Sequence, residues 1–427
     1  MNEPVHRRPP VGRHVHELVR RRRVGAVGLL AVLGPGLLAG LSDDDPPGIT
    51  TYSIVGADYG YRLLWVLALS TAALIIFHEV AVRTGIVTGK GALTLMRERY
   101  RRRTVTIVLA ALVIANIGTL CAEFAGVAAG ADLLFGVSRY VSVPVAALAV
   151  GVLVLRSSFH RVEHVLLVLS AVFLAYVGAG VLAHPDWGAA GKGLVVPSVP
   201  AGGAAVLAIV AAIGTTLAPW GLVFIQSYAV DKRLHVKDLR FERIDVITGA
   251  VLTGVIGFFV IIACAATLHR HGVKVHDVAD AAVALKPLAG SLASSLFGVG
   301  FLGAALLAAA IVPLSTAYSV GEALGKPSDL DLAFRQARVF YAAFGGAIVV
   351  AGAAVLIPGV PLVRVLYLTQ ALNAVLLLAI LPFIRALARD PSLMGAHRLG
   401  RVGSFTTALT IIVIAVSVVA LSVSALG

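Results

Sequence analysis

The residues with the most chemistry to offer stand in two short polar interruptions of otherwise apolar sequence. The first reads Ser42-Asp43-Asp44-Asp45-Pro46-Pro47-Gly48, and the second Thr215-Thr216-Leu217-Ala218-Pro219-Trp220-Gly221. Both carry x-Pro-x-Gly punctuation, as Asp45-Pro46-Pro47-Gly48 and Ala218-Pro219-Trp220-Gly221. Proline deletes a backbone donor and clashes with the preceding turn, and glycine permits the irregular dihedrals that follow. Each interruption therefore predicts a broken helix with freed carbonyl oxygens, and the first adds a carboxylate. That combination suits cation coordination, with Asp45 as the anionic ligand. Acid–base catalysis of the aspartyl-protease kind needs two apposed carboxylates; Asp45 and Glu123 are the obvious pair, and no supporting motif surrounds them. Cys121 and Cys264 both lie in apolar stretches and offer neither a disulfide framework nor a cysteine metal site.

Composition determines which elements must position these residues. The chain has 427 residues, 59% of them apolar and 13% charged, with a mean hydropathy of +0.93. Soluble domains are about half apolar and about a quarter charged, so disorder is excluded and a water-soluble enzyme is disfavoured. A helix crossing the hydrocarbon needs about 20 mostly apolar residues. The stretches that qualify begin with Val24–Ala57, Tyr61–Val82, Thr104–Ala131, Val141–Leu155, Val162–Ala183 and Ala204–Ala229. They continue with Ile244–Leu268, Leu292–Val320, Ala333–Ile357, Val363–Leu387 and Ser404–Leu426, eleven in all, the first and sixth being interrupted. The reading is an all-α polytopic membrane protein in which residues 24–427 form the transmembrane domain.

Residues 1–23 carry Arg20 to Arg23 with His6, His14 and His16, and read as a basic cytoplasmic tail rather than a cleaved signal or a His-x-His metal site. With that tail inside, 28 of the 35 Lys and Arg residues fall on the cytoplasmic side and 7 outside. Positive charge retained in the cytoplasm sets orientation. It also accounts for the net charge of +13 without a nucleic-acid partner. The expectation is a bacterial-type plasma (inner) membrane protein with its C-terminus outside.

Two breaks five spans apart point to a transporter with two repeats. Because five is odd, the second repeat is inverted and the breaks face each other near the midplane. An Asp at that depth costs about 2.5–3.5 kcal/mol on insertion scales, so it needs a partner or a function. No Lys or Arg within a span reads as a partner for Asp45, and Glu123 on the third span is read as the other internal acid. The counter-charge is then the substrate, a cation. Asp43 and Asp44 either join the site or face its aqueous approach, Asp44 being the better candidate ligand.

The stretch Gly34-Pro35-Gly36 through Asp45-Pro46-Pro47-Gly48-Ile49-Thr50-Thr51-Tyr52, then Gly56 and Tyr59-Gly60-Tyr61, resembles the NRAMP (natural resistance-associated macrophage protein) family of divalent-metal transporters. It is most similar to the divergent NRAMP-related branch associated with magnesium. Ala218-Pro219-Trp220, Ala265-Ala266-Thr267-Leu268-His269, Leu285-Lys286-Pro287-Leu288-Ala289-Gly290 and Ala317-Tyr318-Ser319-Val320-Gly321-Glu322 add to the likeness. The resemblance implies the leucine-transporter fold: 11 transmembrane helices, a 5+5 inverted repeat over about 24–183 and 204–387 with helices 1 and 6 broken, and an extra helix at 404–426.

Departures from the family pattern direct the site reading. Gly48 stands where the family has Asn, Ala218 where it has Met, Trp220 where it has His, and Leu120 where it has the first acid of Asp-x-x-Glu, of which Glu123 remains. A thioether favours softer metals, whereas carboxylate, carbonyl and water suit Mg²⁺ and Mn²⁺. Mg²⁺ usually keeps several waters, and Ca²⁺ wants six to eight oxygens that nothing here supplies. The resemblance implies Asp45 as ligand, the backbone carbonyls of Ser42 and Thr215 as further oxygens, and Gln370 as a hydrogen-bonding partner for a hydrating water. Asn373 either shares that role or packs helices. Gly48 and Ala218 are expected to contribute space and Trp220 an apolar wall, while Glu123 is the remnant of a proton path.

The expected function is a secondary transporter of divalent metal cations, Mg²⁺ and also Mn²⁺, working by alternating access without proton coupling. No cofactor is expected, the metal being substrate. The partners are that metal and the bilayer, the transport unit is a monomer, and the chain is not an enzyme. The nearest alternative is a proton-coupled Mn²⁺/Fe²⁺ transporter of the classical type. More distant is an organic cation or amino-acid symporter of the same fold, although Asp45 would repel a substrate carboxylate.

Overall fold

The computed structural model describes Gly40 and residues 42–155, 171–330 and 332–426. The basic tail, the first half of the first span with Gly34-Pro35-Gly36, and the start of the fifth span lie outside the described residues. All regular structure among the described residues is helical. In chain order the helices are α1 (Pro46–Tyr59), α2 (Leu64–Thr88), α3 (Ala92–Arg99), α4 (Arg102–Phe135), α5 (Arg139–Leu155), α6 (Ala175–Leu182) and α7 (Trp187–Val195). They continue with α8 (Gly203–Thr216), α9 (Pro219–Asp231), α10 (Leu239–Thr267), α11 (Ala293–Leu324), α12 (Arg338–Val355), α13 (Leu362–Leu377), α14 (Leu381–Arg389) and α15 (Arg401–Leu426). Short helical turns fill 278–292 and 391–397.

Punctuation residues explain most boundaries. Gly89, Gly136 and Gly325 end α2, α4 and α11 in the left-handed conformation, which costs glycine no Cβ clash. Prolines open α1 and α9 at positions where no amide donor is needed. Eight helical stretches among the described residues are long and apolar enough to cross a membrane, and Arg139–Val154 and Val172–Leu182 are shorter apolar helices.

Several boundaries depart from the sequence expectation. The second span runs on to Thr88, six residues past Val82, and α12 starts at Arg338 rather than Ala333. The tenth expected span is two helices, α13 and α14, separated at 378–380. Pro382 near the start of α14 removes the amide that Leu378 would have used, and hydropathy runs straight through that break. The helices α3 and α7 were not anticipated at all. The expectation that Glu123 is the other internal acid is also corrected. Glu79 lies in α2 and Asp245 in α10, and Glu79 pairs with Arg83 at 3.2 Å and with Arg243 at 2.7 Å.

The helices α1, α4, α8, α9, α10, α11 and α13 form the inner bundle. The most extensive packing is that of α4 on α11, followed by α8 on α13, α4 on α13, and α1 on α10. By contrast α15 shows Val402, Phe405, Val416 and Val423 to the outside, a surface suited to hydrocarbon. Close backbone approach of α8 to α13 depends on Gly214, where a Cβ would overlap the Gln370 carbonyl and stand 2.6 Å from the Ala374 amide nitrogen. Over-packing of this kind costs about 1–3 kcal/mol. Gly214→Ala is therefore expected to lower the thermal unfolding midpoint in detergent; an unchanged midpoint would show that α8 and α13 separate freely.

Candidate metal site

Packing of α1 on α8 brings the break before α1 against the break before α9. In each break proline has deprived carbonyls of helical donors. Pro46 and Pro47 stand four residues after Ser42 and Asp43, and Pro219 four after Thr215, so the amide that would close an α-helical bond is missing from each register. Asp45 caps α1 with extended dihedrals (φ −88°, ψ 170°), and its Oδ1 accepts from the Gly48 amide at 2.8 Å. The cap uses only Oδ1. Across the junction Thr216 donates to the Ala212 carbonyl at 2.7 Å, which leaves the Tyr52 hydroxyl on α1 to donate to Thr216 Oγ1 at 2.8 Å. That bond ties the two breaks together.

Burial is nearly complete. Asp43, Asp44 and Asp45 are 2%, 1% and 5% exposed. No ion pair among the described residues involves any of the three, and the oxygens of Asp43 and Asp44 meet no hydrogen-bond donor. Glu123, fully buried on α4, turns its carboxyl to that of Asp45, within reach of a hydrogen bond if one of them holds a proton. Gly126, one turn on from Glu123, brings α4 against α1: a Cβ there would stand 2.6 Å from Pro46 Cβ.

The remaining expected residues sort into two groups. Thr215 is buried with its hydroxyl unpartnered among the described residues, and Gly48 lies against it. A Cβ on Gly48 would be 2.9 Å from the Asp43 carbonyl oxygen, 3.0 Å from Asp45 Oδ1 and 3.4 Å from Thr215 Oγ1. Gly48 thus acts by letting the two breaks approach closely, not by enclosing open room. Ala218 caps α9 in extended conformation. Trp220 is fully buried, stacks obliquely on Phe224 at 6.4 Å, and its carbonyl accepts from Ser315 at 2.9 Å. Ser42, 2% exposed, opens the first break.

The second group is anchored elsewhere. Asn373 Nδ2 donates to Thr119 Oγ1 at 3.0 Å and to Gln370 Oε1 at 3.1 Å, and Thr119 returns a bond to Asn373 Oδ1 at 3.3 Å. Asn373 therefore packs α13 on α4. Gln370 Nε2 donates to Thr369 at 3.2 Å, while its backbone lies against Gly214, one residue from Thr215.

Among the described residues no three His, Cys, Asp or Glu side chains converge into a ready-made metal cage. The arrangement offers a few oxygens and leaves the rest of a coordination sphere to water. The sequence reading missed His78 on α2. It is 1% exposed with both ring nitrogens unpartnered among the described residues. A polar residue inside an apolar run is its signal in the sequence.

The cap and the charge of Asp45 are separable, because Asn caps a helix as well as Asp while Ala costs about 1 kcal/mol. Asp45→Asn should unfold thermally at or above the wild-type midpoint, and Asp45→Ala below it; equal losses in both would show that the charge itself holds the fold.

A model of the family described as natural resistance-associated macrophage protein-like matches residues 36–424. The divalent metal cation transporter MntH of Burkholderia ambifaria is 31% identical over 308 residues, covering 70% of this chain and 69% of that protein. MntH of Bacillus subtilis is 30% identical over 328 residues, covering 74% and 76%. Among solved structures, the manganese transporter of Eremococcus coleocola matches with a TM-score of 0.74 at 20% identity, covering 93% of this chain and 87% of that one. Mhp1, a nucleobase-cation-symport-1 family transporter, matches at 0.58 and 14% identity, covering 92% and 90%. These structural likenesses show a shared fold, that of an integral membrane protein with several spanning helices.

Proposed function

The chain belongs to the natural resistance-associated macrophage protein-like family, and from that premise we propose that it is a secondary transporter moving Mg²⁺, and also Mn²⁺, across the membrane by alternating access. The relatives are transporters of divalent metal cations, so the chain is not an enzyme and metal is its substrate rather than its cofactor. One observation carries the reading: among the described residues Asp45 is buried without a cationic partner between the starts of α1 and α9. A divalent ion would neutralise it, with the carbonyls of Ser42 and Thr215 and retained waters supplying further oxygens. Asp44 borders the same space. Gln370, beside Thr215 through Gly214, would steady a hydrating water.

Eleven spans in two inverted sets of five plus a last helix, a cytoplasmic N-terminus, an external C-terminus and a monomeric transport unit complete the proposal. The lipid-directed side chains of α15 support a single bundle facing the bilayer directly. On the side given to the cytoplasm, Glu322 accepts from the amides of Leu93 at 3.0 Å and Thr94 at 3.4 Å and from Ser227 Oγ at 2.6 Å, which ties α3, α9 and α11 together. At the opposite end of α1 and α4 lies a cavity of about 1020 Å³ whose lining includes Ile54, Asp58, Ala128, Asp132 and Tyr367. A closed inner side and a roomy outer side support an outward-facing state.

The choice of metal follows from donor chemistry. Ala218 and Gly48 remove a thioether and an amide, which favours hard, hydrated ions. Leu120 and Trp220 remove two groups from the family's proton path, and an inside-negative potential drives a divalent ion inward by about 4.6 kcal/mol per 100 mV without coupling. A second reading, proton-coupled Mn²⁺ transport, is favoured by the position of Glu123 against Asp45.

Proteoliposome uptake of Mg²⁺, Mn²⁺, Ca²⁺ and Cd²⁺, with a pH dye in the lumen, tests this. The wild type should carry Mg²⁺ and Mn²⁺ without acidifying the lumen, and Ala218→Met should shift preference towards Cd²⁺. Acidification in step with metal entry would favour the second reading, and an unchanged ranking in Ala218→Met would refute the softness argument.

A further inference from the structure

His78 is a buried polar group that the site described above leaves unused. On α2 it sits two turns before Gly85, and at Gly85 the helix runs close against Gln226 of α9: a Cβ there would stand 2.6 Å from the Gln226 carbonyl oxygen. The two helices are parallel neighbours, so His78 lies level with the start of α9. There Gly221 has no side chain to fill the space. The point a Cβ on Gly221 would occupy is 3.4 Å from His78 Nε2 and 3.8 Å from Asp43 Oδ1. An imidazole and a carboxylate thus reach the same spot from two different helical segments.

Neither group is satisfied. Both nitrogens of His78 and both oxygens of Asp43 are buried without a hydrogen-bond partner among the described residues, and leaving such groups unpaired is destabilising. A packing histidine normally donates one ring proton to a carbonyl or carboxylate. Two buried polar groups here have no hydrogen bond among the described residues, one of them within the break that also contains Asp45.

We infer that His78 and Asp43 form a second metal station beside the Asp45 site, with Nε2 of His78 and the Asp43 carboxylate as its protein ligands and water completing the sphere. This rests on the reading of the chain as a divalent-metal transporter. The station takes borderline first-row ions such as Fe²⁺, Co²⁺ and Zn²⁺, for which imidazole is a good donor, in preference to Mg²⁺, which wants oxygen. The chain lacks the family's thioether at Ala218 and its imidazole at Trp220, yet it presents an imidazole to the same junction from α2. The consequence is a broader range of metals than the oxygen ligands around Asp45 would allow alone.

Electron spin-echo envelope modulation on tag-free protein loaded with Mn²⁺ tests this directly, since a bound histidine nitrogen modulates the Mn²⁺ echo. The wild type is expected to show nitrogen modulation, and His78→Gln to lose it while still binding Mn²⁺. In proteoliposomes the same variant should lose Zn²⁺ uptake by about tenfold more than Mg²⁺ uptake. Bound Mn²⁺ without nitrogen modulation in the wild type, or modulation that survives in His78→Gln, overturns the second station alone. Mn²⁺ that stays entirely in its free aqueous form with the wild type would instead overturn the metal-transport reading beneath it.

Discussion

A carboxyl group buried without a cationic partner among the described residues is the central constraint on this molecule. Asp45 caps α1 through one oxygen, and another acid, Glu123, is turned to its carboxyl. Moving such a charge into a low-dielectric interior is expensive unless another charge meets it. The prolines at 46, 47 and 219 make the same place rich in carbonyl oxygen by removing amides from three helical registers. Charge and oxygen are brought together by a deficit of donors, and in the proposed function a hydrated metal ion supplies what is missing.

The surrounding structure holds that deficit in place. Gly48 and Gly126 let the break of the first helix touch Thr215 and α4, and Tyr52 bonds Thr216 across the junction. Gln370 and Asn373 are tied to α4 through Thr119. Rigid packing matters because water or a mobile base could otherwise neutralise Asp45 and remove its demand for a substrate. Glu123 is another acid turned to it, and two carboxyls so close repel each other when both are ionised. A cation relieves that repulsion.

Much of this was legible in the residues. Paired x-Pro-x-Gly punctuation announced both breaks, and proline chemistry is local enough to read without a structure. The long spans were legible because hydropathy reports transfer into lipid directly. What escaped depended on neighbours distant in sequence. Pro382 sits in an apolar run and breaks the tenth span without a polar marker. Gly48 looked like a source of space until Asp43 and Thr215 were found against it. The packing role of Asn373 is decided by Thr119, 254 residues away in the chain. His78 carries only a weak signal in the sequence, a polar residue in an apolar run, because a neutral imidazole becomes notable only when nothing around it offers a hydrogen bond.

The decisive measurement is calorimetric titration of Mn²⁺ and Mg²⁺ into purified wild type and Asp45→Asn, with folding verified for both. The charge-deficit explanation requires the neutral variant, its helix cap intact, to bind either ion weaker by about tenfold or more. Equal affinity in the two proteins would mean that the ion is held somewhere else, and that the lone carboxylate is there for the fold alone.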